Sequence, residues 1–331
     1  MRKLIVFCLL AVLLLSSAQA EEQEEAQFWG VIGKRMEVRK YGSANAPVLG
    51  SIEPGIQVDV YKKGRTWTKI DYSGRIGYVQ TKFIELVQRK DPFEGPMPGV
   101  PVFEAMARTT QTVSFLPEGY RYAIQVPAGT ALGIHHIRSD RAYFPYRREP
   151  EDMYLPLSVL EVTPLVTWDK AAPGDLIYAF STFYTTSLNK EGNAGRLDNI
   201  ELATKRLTHI LVHPGDVFSF NTICGPYTEE NGYKPAPILS GESKMGFGGG
   251  VCQVCSTIYN IVLRIPAVIV DMNWHSQGGT SYLPAGYDAT VSNTKDMQFR
   301  NILPYTLRIE FESGGGVMTA LCYRASEEDE K

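Results

Sequence analysis

Between residues 29 and 86, apolar and polar positions alternate in short runs separated by turn signals. Met36-Glu37-Val38-Arg39, Gln57-Val58-Asp59-Val60-Tyr61, Thr66-Trp67-Thr68-Lys69-Ile70 and Ile76-Gly77-Tyr78-Val79 each turn one apolar face inward, the period-two pattern of half-buried strands. Glu53-Pro54-Gly55, Lys63-Gly64 and Ser73-Gly74 fall between the runs as turns. Five short strands in about 60 residues predict a small β-barrel over 28–87. Residues 88–102 carry Pro92, Pro96, Pro98 and Pro101 and predict a linker without strand or helix. Strand-like runs return over 120–126, 142–146 and 153–157, with Pro127-Ala128-Gly129 as a turn, and predict a second β-rich module spanning 103–166.

From residue 167 to 325 the pattern mixes the two periods. Residues 176–184 read as a strand. Asp198 is placed to cap a helix in which Ile200, Ala203, Leu207 and Ile210/Leu211 recur at helical spacing, with Pro214-Gly215 as its stop. Val217-Phe218-Ser219-Phe220 reads as a strand. A glycine-rich loop, Gly246-Phe247-Gly248-Gly249-Gly250-Val251-Cys252, leads into a helical pattern (Val254, Ile258, Ile261/Val262) that Pro266 ends. Strands are expected at 267–271, 290–292 and 305–311. The fold class is α+β: one or two small β-barrels followed by a mixed α+β domain.

Composition narrows the function classes. In 331 residues, 33 Lys and Arg nearly balance 36 Asp and Glu, and a net charge of -3 argues against a nucleic-acid partner. The first twenty residues read as an export signal: Arg2 and Lys3, an apolar run over 4–15 shorter than the ~20 residues of a membrane span, and Ala18-Gln19-Ala20 as the cleavage site. A retained N-terminal anchor is the other reading of that run. Cleavage removes Cys8 and two positive charges, taking the net charge from -3 to -5, and places the mature protein outside the cytoplasmic membrane. Residues 21–26 form a polar, acidic lead-in.

Cys224, Cys252, Cys255 and Cys322 remain. Four cysteines in a chain of this length do not make a disulfide scaffold. Cys252-x-x-Cys255 fits a redox pair, half a zinc site, or a nucleophile with a bystander. A glycine loop running into a helix sets free N–H groups and the positive helix end beside Cys252, which favours its thiolate. The same N–H groups, around Gly249, Gly250 and Val251, are candidate oxyanion donors. His275 is the candidate base, with His209 and His213 as alternatives that also fit a metal pair or a helix end. From spacing alone, a nucleophile and a buried structural cysteine both fit position 252. Asp288 is placed either to orient His275 or to cap a turn at Gly286. Asn221, Gln253 and Ser256 are candidate substrate-binding residues around the site, and Arg196 is a candidate for a substrate carboxylate. His135 and His136, adjacent in a strand, should point to opposite faces and share no metal.

Two resemblances sharpen this reading. Val38-Arg39, Leu49-Gly50, Pro54-Gly55, the Trp67 run, Gly74-x-x-Gly77-Tyr78-Val79 and Phe83-Ile84 resemble a bacterial SH3-like domain, which implies tethering to cell-wall glycan or peptide; Trp67, Tyr72 and Tyr78 are otherwise core of the barrel. Pro214-Gly215-Asp216-Val217-Phe218-Ser219-Phe220-Asn221, Gly248-Gly249-Gly250-Val251-Cys252-Gln253-Val254, Ser256-Thr257, His275-Ser276 and Asp288-Ala289-Thr290-Val291 resemble the VanW domain. That resemblance implies L,D-transpeptidation of peptidoglycan stem peptides with Cys252 as nucleophile and His275 as base, needing no metal or organic cofactor. The alternative is a non-catalytic wall-binding, wall-assembly or glycopeptide-resistance accessory protein. Position 255 is Cys where the VanW pattern usually has Ser, which raises a Cys252–Cys255 disulfide as a redox gate.

Overall fold

The computed structural model describes residues 28–330 apart from 55, 74, 89–92, 95, 97–99, 118–122, 148–151, 239–244, 276–279 and 285. The expected export signal, the acidic lead-in and Ser276 lie outside the described residues.

The N-terminal module is one antiparallel sheet of seven strands: Phe28–Ile32, Met36–Arg39, Val48–Ile52, Gln57–Lys62, Trp67–Asp71, Ile76–Gln80 and Ile84–Gln88. The first strand pairs with both the fourth and the last, which ties the ends of the module together. Alternation works as the sequence implies. Val38, Ile52, Val60, Ile70, Val79 and Ile84 join Ile32 in a separate core. Trp67, Lys69 and Tyr78 take the other face, with Lys69 opposite Tyr78 across the strand pair, so neither Trp67 nor Tyr78 belongs to that core, whereas Tyr72 packs against it.

The middle module is a set of short antiparallel strands: Ala105–Thr109, Val113–Phe115, Ile124–Val126, Ala131–Ile134, His136–Arg138, Arg141–Phe144, Met153–Pro156 and Leu160–Pro164. Its core of Phe115, Phe144, Tyr146, Leu132 and Ile134 also takes in Phe183 and Val317 of the following domain. Backbone polar groups are matched across the seam: Gly133 N–H donates to Ser181 Oγ (2.9 Å), and Thr319 Oγ1 donates to Ala131 O (2.6 Å). Arg108 forms a two-pronged ion pair with Glu312, 2.7 and 2.8 Å. The proline-rich segment contributes a strand after all, Phe93–Glu94, which pairs with Ala267–Asp271. His135 and His136 do not diverge. His135 falls at a bend between two strands, where alternation lapses, and both Nδ1 atoms approach Asp152 Oδ2, at 2.6 and 3.7 Å.

The C-terminal domain has two four-stranded sheets. One runs Leu176–Phe183, Val317–Arg324, Leu307–Gly314, Ile210–Val212; the other runs Val217–Ser219, Gln298–Asn301, Ala267–Asp271, Phe93–Glu94. Three helices accompany them: α1 (Asn193–Arg206), α2 (Phe220–Cys224) and α3 (Val251–Val262). Helix α3 is rich in β-branched residues of mediocre helix propensity, and it forms because it is buried on every side: each of its residues except Cys252 is buried. Helix α1 departs from expectation. It starts at Asn193 behind left-handed Gly192, so Asp198 lies exposed inside it, and it ends at Arg206, leaving Ile210–Val212 free to become a strand. Phe220 opens α2 rather than ending a strand, because Ser219 Oγ caps that helix. Residues 290–292 form no strand; Ser292 makes a single bridge to Lys295.

Gly133 tests the seam between the modules. A Cβ there would sit 2.7 Å from Ala179 O, a backbone atom that cannot yield cheaply. Gly133→Ala should destabilise the protein by about 1–3 kcal/mol in chemical denaturation; an unchanged midpoint would mean that the module does not seat on this sheet.

Candidate functional site

Cys252 occupies the second position of α3 and is the one residue of that helix that is not fully buried. The glycines before it serve close packing. Gly249 lies where a Cβ would meet Pro237 O at 2.6 Å and Ala236 Cβ at 2.8 Å, and Gly250, at φ 107°, makes the left-handed entry into the helix. Buried Asn199 of α1 pins this loop, its Nδ2 donating to Gly249 O (3.1 Å) and Lys234 O (2.9 Å). The oxyanion expectation narrows here. Val251 N–H is already used, donating to Gly248 O at 3.0 Å, and Gln253 N–H donates to Gly250 O. The N–H of Cys252 itself, at the second helical position, has no intrahelical acceptor and is the donor best placed for an oxyanion beside its own sulfur.

Two loops are held over the helix start. Ser256 Oγ, one turn beyond Cys252, donates to Ala289 O (3.0 Å) and accepts from Ala289 N–H (2.9 Å), while Asn260 Nδ2 donates to Tyr287 O (2.7 Å). Residues 287–289 are thereby fastened to α3, with Asp288 between the anchors. Asp288, 2% exposed, accepts from His275 Nδ1 at 2.7 Å and from His275 N–H at 3.1 Å. Thr290 N–H donates to Asn273 O (2.7 Å), which draws the histidine segment alongside. The sulfur of Cys252 lies 3.3 Å from Val291 O, 3.4 Å from Thr290 Oγ1 and 3.5 Å from Val291 N, and the imidazole of His275 is near enough to hold its thiol down. Cys252, His275 and Asp288 thus form a continuous chain. The Asp288 bond to Nδ1 fixes the ring and leaves Nε2 for the sulfur.

The electrostatics follow from this chain. Burial pushes the Cys252 thiol up, but the hydrogen bond and charge of His275, with the Thr290 hydroxyl and the Val291 backbone, outweigh it and hold the thiol below its ordinary value. Burial pulls His275 down, yet hydrogen bonds to Asp288 and Cys252 and the charges of both lift it to about 9. With the thiol held down and the imidazole held up, the surroundings favour the thiolate–imidazolium form of the pair. Chemically that is an activated sulfur nucleophile with a proton donor beside it.

Other expected residues take different places. Gln253 is buried, its amide tied to Phe183 O (3.0 Å), Thr182 Oγ1 and Arg196, so it braces the helix and is closed to substrate. Asn221 holds the far end of the overlying loop through Ser292 O and Lys295 O, and Ser256 is likewise a brace. His209 and His213 face Glu310 and Thr306 on another part of the domain and do not share a helix face. Cys255 points into the apolar core, where burial raises its thiol, and both it and Cys252 are free thiols. Arg196 stays beside the site: its Cγ lies against Gly250, and it has no carboxylate partner among the described residues. Sequence reasoning passed over Thr290 and Val291 as sulfur contacts; an Asp-Ala-Thr-Val run carries no signal of that role without the fold.

Fold and site together define an α+β protein with an N-terminal SH3-like sheet and a cysteine–histidine–aspartate site at the start of a buried helix. The family model for VanW like protein matches residues 195–323, and that for the bacterial SH3 domain matches residues 34–85. An uncharacterized protein, YoaR, of Bacillus subtilis (strain 168) is 31% identical over 262 residues, covering 74% of this chain and 82% of the relative. The vancomycin B-type resistance protein VanW of Enterococcus faecalis is 29% identical over 117 residues, 34% of this chain and 42% of that protein, so the match spans less than half of its length. The chain belongs to the VanW-like family and carries an N-terminal bacterial SH3 domain. Two solved structures, NlpC1 and NlpC2 from Trichomonas vaginalis, align over 91% of this chain (90% and 98% of theirs) at 10% and 9% identity with TM-scores of 0.20 and 0.19, too low to carry an argument. Family and SH3 domain point to a cell-wall-associated protein. No helix among the described residues is long and apolar enough to cross a membrane.

Alkylation by iodoacetamide reads the site directly. In the folded protein Cys252 should react while the buried Cys224, Cys255 and Cys322 do not, with a midpoint below the ~8.5 of an ordinary thiol. His275→Gln removes the opposing cation and leaves burial, so the midpoint should rise above ~8.5. Asp288→Asn removes an anion beside the imidazole, so the titration midpoint of His275, followed through its ring protons by NMR, should move down from about 9. A wild-type midpoint at or above the ordinary thiol value would contradict the activated pair.

Proposed function

We propose that this protein is an exported cell-wall enzyme, a cysteine-dependent L,D-transpeptidase acting on peptidoglycan stem peptides. The reading is carried by the Cys252–His275–Asp288 chain at the start of α3, joined to a VanW-like family membership. The Cys252 thiolate attacks the carbonyl carbon of the third stem residue, and the resulting oxyanion is met by the Cys252 N–H. Collapse breaks the amide bond to the terminal D-Ala, whose nitrogen takes the proton held on His275 Nε2. The product is a thioester on Cys252 with a neutral imidazole. A side-chain amine of a neighbouring stem attacks the thioester carbonyl, His275 recovers a proton from that amine, and the thiolate leaves. A 3→3 cross-link forms and the ion pair is restored, so atoms and charge balance without a co-reactant.

The SH3 domain holds the enzyme to its polymer in this reading. Trp67 and Tyr78 sit half-buried on the sheet face that the core does not use, with Lys69 between them in the pairing, a surface suited to stacking on glycan rings and meeting anionic groups. Asp288 acts as a positioning residue, keeping His275 in one tautomer and stabilising its charge.

Purified mature protein incubated with defined tetrapeptide muropeptides should release D-Ala and produce 3→3 dimers. Cys252→Ala should lower that rate by at least about 10^3-fold while leaving the far-ultraviolet circular dichroism unchanged. A folded Cys252→Ala protein that still forms the dimers would remove the enzymatic reading in favour of a wall-binding role.

A further inference from the structure

A second guanidinium approaches the site from the middle module. Arg147 adopts a left-handed backbone (φ 58°) directly after Tyr146, whose ring packs against Phe183 with centroids 4.9 Å apart. Phe183 ends its strand, and its carbonyl accepts from Gln253 Nε2 at 3.0 Å. Arg196 Nη2 donates to the other end of the same amide, Oε1, at 2.7 Å. Gln253 follows the nucleophile in α3. Arg196 therefore reaches the residue next to Cys252, and the guanidinium of Arg147, 5.4 Å from the Tyr146 ring centroid, is near enough for its charge to be felt at Arg196. Neither has an ion-pair partner among the described residues, and Arg147 Nε is buried with no hydrogen-bond partner.

Such a pair is costly as it stands. Burial lowers the pKa of Arg196, Tyr282 and Cys252 oppose that shift, and the like charge of Arg147 adds to it. Two partly desolvated guanidiniums that repel one another are relieved by an anion bound between them, most favourably a planar carboxylate that accepts from both.

We propose that Arg147 and Arg196 form a clamp for the free C-terminal carboxylate of the acyl donor, one residue beyond the attacked carbonyl. This rests on the reading of Cys252 as the acyl-transfer nucleophile and adds a substrate rule to it. In a tetrapeptide stem only one nitrogen and one Cα separate the attacked carbonyl carbon from the carboxylate carbon, a span of under about 4 Å. One further residue carries the carboxylate about 3.5 Å away. The clamp thus selects stems that end one residue after the scissile bond, against pentapeptide and amidated ends, and it makes the middle module part of the substrate site.

Alkylation tests the clamp independently of turnover. Iodoacetate carries the carboxylate and iodoacetamide does not, so the ratio of their rates at Cys252 in the full protein reads anion binding beside the sulfur. Arg147→Gln, which keeps a long polar stem, should lower that ratio about tenfold, as loss of one charge-assisted hydrogen bond does. Arg138→Gln removes an exposed charge from the same module and should leave the ratio unchanged. On the unsubstituted protein, N-acetyl-D-alanine should protect Cys252 from iodoacetamide and its C-terminal amide should not, a result that does not depend on a variant folding. Equal protection by the acid and the amide, or an unaltered ratio in a folded Arg147→Gln protein, would overturn the clamp while low-pH reaction with iodoacetamide kept the nucleophile. Loss of that low-pH reaction in the wild type would instead overturn the nucleophile.

Discussion

Helix α3 has almost no intrinsic reason to be a helix, and it exists because the domain closes around it. Valine, isoleucine and threonine fill much of it, and all but one of its side chains are buried between sheet and loop. Because the helix is enclosed, its first turn is the only part that meets solvent, and the residue there is Cys252. The glycines ahead of it let the backbone press against the Pro235–Pro237 strand and α1 where any side chain would collide. The polar side chains of the next turns, Ser256 and Asn260, then clamp the loop that carries Asp288. One buried helix thereby sets the sulfur, the carboxylate and, through the carboxylate, the imidazole.

The four cysteines among the described residues show what burial does and does not decide. Burial raises Cys224 and Cys322 to about 12 and pushes Cys255 up as well. Cys252 feels the same penalty and ends below its ordinary value, because the imidazole of His275, the Thr290 hydroxyl and the Val291 backbone counter it at the sulfur. A desolvated charge is tolerable only when paired and hydrogen-bonded. Asp288 extends the pairing: its carboxylate, itself buried, is satisfied by two donors of His275 and keeps the imidazole charged against its own desolvation.

The modules differ in how they relate to that site. The SH3 sheet has its own core and pairs its first strand with its last, the construction of an autonomous binding unit. The middle module does not close by itself: Phe183 and Val317 complete its core, and Gly133 lies directly on Ala179. A module fused in this way shares the rigidity of the C-terminal domain, which the proposed role of Arg147 at the site requires. The Phe93–Glu94 strand adds to the edge of the second sheet by pairing with Ala267–Asp271.

Alternation of Val38, Val60, Ile70 and Val79 with polar neighbours predicted the N-terminal strands closely, because a two-residue period with one buried face is a local property. The glycine loop, the helix after it and the candidacy of Cys252 and His275 were legible for a similar reason: glycine and cysteine at that spacing constrain the backbone and the chemistry locally. Asp198 looks like a cap, whereas a left-handed glycine six residues earlier and packing on the strand at 235–237 decide where α1 begins. Gln253, Asn221 and Ser256 looked like substrate residues, since polar side chains beside a nucleophile carry no mark of which way they face. The sequence by itself determined the strand periodicity and singled out a candidate nucleophile with its candidate base. Tertiary structure alone decided that Asp288 reaches His275, that the neighbouring amide and hydroxyls are braces, and that the charge of Arg147 is felt at Arg196, because each of these depends on segments far apart along the chain.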